Sequence, residues 1–195
     1  MNKKIKYAAV FAVAFVLIQT IQAVPVTGAI GFTGAVTYNT SSAGTASQVT
    51  SWVAPTMVNL SSGAFAGLNG SIATFSGSVW NFNTILPINN FWAVGGFSFQ
   101  LLSSSITAQG GTPGINGFVV VNGTGIVTGP ANSNYDPTTL SWSFTSQDPF
   151  IQGTANRWTF SASANSVAVP DGGATVMLLG LALSGVALLK KKLKA

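Results

Sequence analysis

The sequence predicts an all-β domain, an antiparallel β-sandwich or a barrel-like, jelly-roll-type closure of about eight or nine strands, with an apolar helix at each end of the chain. Three observations carry this. Between residues 24 and 169 no run places apolar side chains at i, i+3, i+4 and i+7 over three turns, whereas alternation with period two recurs. The alternating runs are rich in Val, Thr, Phe and Trp, which suit a pleated, half-buried surface. Gly, Asn, Ser and the prolines at 55, 87, 113, 130, 137 and 149 fall in or beside the gaps.

The elements follow in order. In residues 29–38, Ile30, Phe32, Val36 and Tyr38 share one face, while Thr33 and Thr37 take the other. Residues 47–54, 71–83 and 91–102 are further strands, as are 117–122 and 125–129. The run Phe118, Val119, Val120, Val121 is apolar on both faces and is placed centrally. In residues 139–146, Leu140, Trp142 and Phe144 alternate with hydroxyl residues, and in 157–164 Trp158, Phe160 and Ala162 do the same. Asn69-Gly70, Asn116-Gly117 and Asn122-Gly123 are turn candidates, because a type I′ turn needs positive φ at both central residues. Residues 119–127 around Asn122-Gly123 read as a hairpin. A domain of this size buries roughly two thirds of its unfolded-chain surface, and the five tryptophans and most phenylalanines belong in its core.

Charge is scarce and confined to the ends. The chain has 195 residues, of which 47% are hydrophobic and only 6% charged, against roughly 25% charged in ordinary domains. Between residues 24 and 169 only Arg157, Asp136 and Asp148 are charged. The formal net charge of +5 therefore belongs to the tails, and no basic patch is left for nucleic acid. With no His and no Cys, there is no His–Ser triad, thiolate nucleophile, zinc site or disulfide framework. No cofactor or metal is expected.

Both ends read as addresses. Basic residues 1–7, an apolar run at 8–18 and a more polar stretch ending at Ala23 have the layout of a secretory signal peptide cleaved after Ala23. Eleven apolar residues span ~17 Å as a helix, short of a ~30 Å hydrocarbon core, which favours cleavage over anchoring. At the other end, Val169, Pro170, Asp171, Gly172 and Gly173 precede an uncharged apolar helix at 174–189. That helix reaches ~24 Å, workable as a transmembrane helix in a thin bilayer. Lys190, Lys191, Lys192 and Lys194 follow in a basic tail at 190–195 and should stay cytoplasmic, which turns the middle of the chain outward. The organisation is thus signal peptide 1–23, all-β extracellular domain 24–168 and C-terminal segment 169–195. Pro170 biases Val169 toward extended backbone, and the two glycines disfavour helix, so the segment is held open as a protease cleft requires.

This layout resembles the PEP-CTERM bacterial sorting signals, and most closely the VPDSG-CTERM variant: Val169, Pro170, Asp171 and Gly173 match it, with Gly172 standing where the variant has Ser. The resemblance implies recognition by an exosortase, a membrane-embedded cysteine protease that releases or transfers the exported domain to the cell surface. It also implies a bacterial host that makes extracellular polysaccharide. Residues 123–147, with Gly123-Thr124-Gly125, Asp136-Pro137 and Trp142-Ser143-Phe144, are similar to a stretch that recurs in exported PEP-CTERM proteins.

Within the domain, Asp136 and Asp148 are the only carboxylates. A glycosidase needs two of them roughly 5–10 Å apart in a cleft. Both precede Pro, so turn capping is the expectation, with a surface ion pair between Asp148 and Arg157. The expected function is an exported, non-catalytic structural or adhesive protein of the cell surface or biofilm matrix. Its uncharged, hydroxylated faces suit hydrogen bonding to polysaccharide or to other copies of itself, since neither lysines nor net charge keep its edge strands apart. The alternative is a lectin-like carbohydrate-binding module, which an exposed aromatic platform on one sheet face would favour.

Overall fold

A computed structural model describes residues 24–77, 79–148 and 157–166, together with helical residues 179, 180 and 183. The all-β expectation holds, and of the two architectures the chain takes the barrel. Eight strands close on themselves: β2 (Ala29–Tyr38), β3 (Gln48–Ser61), β4 (Ile72–Phe75), β6 (Ile88–Val94), β7 (Phe97–Gly110), β8 (Phe118–Thr128), β10 (Thr138–Gln147) and β11 (Trp158–Ser166). Each pairs antiparallel with the next in this order, and β11 returns to β2. This is an up-and-down meander, with neighbour-to-neighbour connections in place of a jelly roll's crossings. The short β5 (Trp80–Asn81) adds to the start of β3, and β1 (Val24–Pro25) pairs in parallel with β9 (Tyr135–Asp136).

Alternation decides what fills the barrel. In β2, β10 and β11 the apolar partners point inward and most hydroxyl residues outward, with Thr138 and Ser146 near the ends of β10 buried. An eight-stranded barrel is just wide enough for side chains to fill, and here they are rings. Trp80, Trp92, Trp142, Phe32, Phe91, Phe99 and Phe144 are fully buried. Trp92 stacks on Phe99 with centroids 5.2 Å apart, Phe144 on Phe160 at 5.3 Å, and Trp80 meets Phe144 edge-on at 5.2 Å. Trp80 Nε1–H donates to Ser104 Oγ (3.2 Å), whose hydroxyl donates to the Phe82 carbonyl (2.9 Å). The indole N–H groups of Trp52, Trp92 and Trp142 are buried without an acceptor.

Several expectations are corrected. Asn122-Gly123 is not a turn but the middle of β8, opposite Ser105 and Ser104 of β7. Gly123 serves close approach instead: a Cβ there would lie 2.3 Å from the Ser103 carbonyl oxygen, beside the bulge between Leu101 and Ser103. The hairpin falls at Gly95-Gly96, with φ of +57° and +85°, and splits the predicted 91–102 strand into β6 and β7. The predicted 71–83 strand is likewise broken into β4 and β5. Pro55 sits inside β3, near the register shift between Thr33 and Ala35, and not in a gap. Val119 and Val121 are buried, but Phe118 and Val120 face outward, so this run is apolar on both faces yet buried on only one.

Candidate functional site

The barrel leaves two places where polar chemistry concentrates, an outer wall and one closed end. On the wall, the registers of β2, β11, β10, β8 and β7 line up outward-facing side chains in rungs. One rung runs Asn165, Ser141, Thr124, Ser103. The next runs Ser163, Ser143, Asn122, Ser105, and a third runs Thr33, Ser161, Thr145, Val120. Strands lie about 4.8 Å apart, and same-face residues along a strand are about 6.8 Å apart, so the wall is a lattice of hydroxyls and amides without a charge. It is the reverse of a lipid-facing barrel, whose outer band is apolar.

Nearer the end where β8 begins, the wall sinks into a groove of about 410 Å³. Short side chains of Thr33, Thr145, Thr159 and Ser161 form its floor, and Phe118 and Gln147, cross-strand partners on β8 and β10, stand beside them. Phe118 is 38% exposed. Its ring leans across Gly110, where a Cβ would touch it at 3.7 Å.

The closed end is organised by Asp148, which is 4% exposed. Ser42 Oγ–H and the Gly114 N–H donate to Oδ2 at 2.6 and 2.7 Å; the Ala43 N–H and Trp158 Nε1–H donate to Oδ1 at 2.7 and 3.0 Å. Burial raises the carboxyl pKa, but these donors outweigh it and hold it below the ordinary 3.8. The carboxylate thus ties three segments together: the 3₁₀ turn Ala43–Thr45, the loop from 111 to 117, and the start of β11. Gln109 adds to the clamp, its amide donating to the Ala43 and Ala46 carbonyls at 3.0 and 2.6 Å. Gly117 is required here, since a Cβ would come within 2.5 Å of both Ser42 Oγ and Asp148 Oδ2.

Where its sequence context predicts turn capping, Asp148 instead clamps segments distant in sequence, and the ion pair with Arg157 does not form: among the described residues all its hydrogen bonds come from uncharged donors. Asp136 lies at the other end of the barrel, exposed on β9, and its side chain caps nothing; only its carbonyl accepts, from Thr138 Oγ1 at 2.8 Å. Ten residues of β10 separate the two carboxylates, roughly 34 Å at strand rise, so they do not form a glycosidase pair. The tryptophans are no outward platform; four of the five are buried and Trp52 is half-buried.

The terminal site residues lie outside the described residues: Ala23 of the signal segment; Val169, Pro170, Asp171, Gly172 and Gly173; and Lys190, Lys191, Lys192 and Lys194. Among the described residues no helix is long and apolar enough to cross a membrane. Leu179, Gly180 and Leu183, within the 174–189 stretch, are helical and exposed.

No curated protein and no solved structure matches the chain. Residues 168–193 match the VPDSG-CTERM motif. The match begins two residues after β11 ends at Ser166, at the opposite end of that strand from Trp158 and Asp148. A chain that presents this barrel beside such a segment carries a VPDSG-CTERM sorting motif, which implies exosortase processing and export to the cell surface or extracellular space.

Proposed function

We propose that the barrel is a non-catalytic structural or adhesive protein of the cell surface or its polysaccharide matrix. The signal peptide is removed after Ala23, the 174–189 helix holds the precursor in the membrane, and the exosortase cuts within residues 169–173. The observation that carries the adhesive reading is the charge-free outer wall, where hydroxyls and amides from five adjacent strands face solvent. Such a surface meets other hydroxylated polymers without desolvating ions, whose burial is costly.

Self-association draws less support. The closed ring removes the long unpaired edges on which edge-to-edge pairing depends. The second reading, a carbohydrate-binding module, is favoured by the groove beside Phe118, the sole aromatic among the exposed large apolar side chains of the described residues.

Fractionation of cells with and without the exosortase tests the proposal. The expected wild-type product lacks residues 190–195 by mass spectrometry and sediments with the surface matrix. Without the protease, the tail stays attached and the protein is found with membranes. A cytoplasmic chain with both ends intact overturns the export route, and a processed protein found wholly free in the medium overturns the adhesive role.

A further inference from the structure

We propose that the groove on the β2–β11–β10–β8 wall is a subsite for a neutral polysaccharide, with Phe118 as the ring against which a sugar packs. This rests on the carbohydrate-binding reading and assigns it a place and a ligand class. Four observations converge.

The first is shape. The outside of a barrel is convex, so a depression of about 410 Å³ must come from side-chain heights, and that volume falls within the roughly 300–1,000 Å³ of small-molecule sites. The second is unspent hydrogen bonding. Ser161 Oγ, Thr159 Oγ1 and the Gln147 amide make no hydrogen bond within the described residues. Thr33 and Thr145 donate to the Phe160 and Ser161 carbonyls at 3.4 and 3.3 Å, and keep lone pairs free to accept. Donors and acceptors are thus mixed at close spacing, as a polyol requires.

The third is the ring. Every other phenylalanine and tryptophan among the described residues is buried or half-buried, so an exposed Phe118 with hydroxyls beside it stands apart from the packing rule that places the rest. An aromatic face beside hydrogen-bonding groups matches the amphipathic surface of a pyranose, whose C–H face is apolar and whose rim is hydroxylated. The fourth is charge. No ionic side chain lines the groove, and Arg157, the nearest in sequence, precedes β11 and is not part of the lining. The one cation nearby among the described residues, the exposed Arg157 two residues before Thr159, stands outside the lining, and the alginate arm of the test weighs it. A second copy of the chain is a poorer fit, because stable protein interfaces bury about 800 Å² per partner and centre on clustered aromatic and Arg anchors, and here a single ring is available. The groove sits at the end of β11 opposite Ser166.

The test uses the processed protein recovered from the surface fraction. Its retardation is measured in gels containing a (1→4)-β-glucan, a galactomannan or dextran, with alginate as the polyanion. Variants are Phe118→Ala, Ser161→Arg, which lays a long arm across the floor, and Ser105→Arg, an exposed wall position outside the groove. Unfolding midpoints establish that each variant folds. The expected result is retardation by at least one neutral polymer, weakened about tenfold by Phe118→Ala, equivalent to about 1.4 kcal/mol, abolished by Ser161→Arg and unchanged by Ser105→Arg. Retardation that Phe118→Ala and Ser161→Arg leave unaltered overturns the groove while sparing the carbohydrate-binding reading. Absence of retardation in every gel overturns both. Retardation by alginate alone overturns the neutral ligand class. A concentration-dependent dimer in sedimentation that Ser161→Arg dissolves assigns the groove to a second copy and overturns the proposal.

Discussion

Replacing Asp148 by Ala should be among the most damaging single substitutions in the barrel, and its cost follows from the four donors around the carboxylate. Ser42, Ala43 and Trp158 are buried, so truncation strands a hydroxyl, an amide and an indole N–H away from water. Each such loss costs about 1–3 kcal/mol. Against this, the folded state no longer has to desolvate a carboxylate, a saving of several kcal/mol. Gly114, only partly buried, can turn its N–H to solvent at little cost. Three stranded donors less that saving leave a net destabilisation of about 2–4 kcal/mol, and Tm should fall by roughly 6–12 °C at a few degrees per kcal/mol. Asp148→Asn retains the shape but places an NH2 where Oδ2 accepts from Gly114, donor against donor at 2.7 Å, so it should lose about half as much. Tryptophan fluorescence during urea unfolding measures both, with the midpoint falling at constant m-value. An Asp148→Ala protein within 1 kcal/mol of wild type would refute the view that this carboxylate holds the barrel end closed.

Further outcomes follow. Because Asp148 titrates below 3.8 in the fold, its contribution is complete above the unfolded aspartate value and is lost as pH falls through the lower folded value; the wild type should lose stability below about pH 4, and Asp148→Asn should show a shallower acid slope. With no His, Cys or Glu in the chain, the unfolding midpoint should stay nearly flat from pH 5 to 7, and a clear inflection there would count against this reading. Gly123→Ala should cost about 2–4 kcal/mol, since the new Cβ meets a backbone carbonyl at 2.3 Å, whereas Gly70→Ala, with φ of +80° and open space around it, should cost about 1 kcal/mol; chemical denaturation compares the two. Trp142→Ala should cost about 3–5 kcal/mol, and near-UV circular dichroism should lose ring-ring signal, because Trp142 packs edge-on against Phe91 at 5.3 Å.

Period-two alternation made β2, β10 and β11 legible almost to the residue, because one face of each strand is buried and a register slip would turn every side chain over. Chain closure was not legible. Whether eight alternating strands form a sandwich or a ring depends on β11 finding β2, a contact between residues far apart in sequence that no local pattern encodes. The Gly residues misled for a related reason. Gly123 and Gly95 look alike in sequence, one after Asn and one before Gly, yet Gly123 accommodates a neighbouring strand's bulge and Gly95 turns a hairpin. Distinguishing them requires the partner strand. The groove was hidden in the Phe118–Val121 run, since apolar residues on both faces of a strand read as double burial.

Asp148 and Phe118 together indicate how the barrel separates stability from contact with its surroundings. All strong polar satisfaction in the closed end is spent internally: four donors on one carboxylate and one amide on two carbonyls leave that end little capacity to bind. The wall has the opposite character. Its hydroxyls make few and long hydrogen bonds, such as Ser141 to Asn165 at 3.3 Å, and the fold does not depend on them because the ring-filled interior supplies the burial. Substitutions along the outer rungs should therefore leave the unfolding midpoint nearly unchanged. Replacing Ser143 and Thr145 together by Ala should move the midpoint by less than about 1 kcal/mol, as exposed positions ordinarily do. If that pair proved as costly as Asp148→Ala, the wall would be part of the scaffold, and the division between a self-satisfied end and an outward-facing lattice would have to be abandoned.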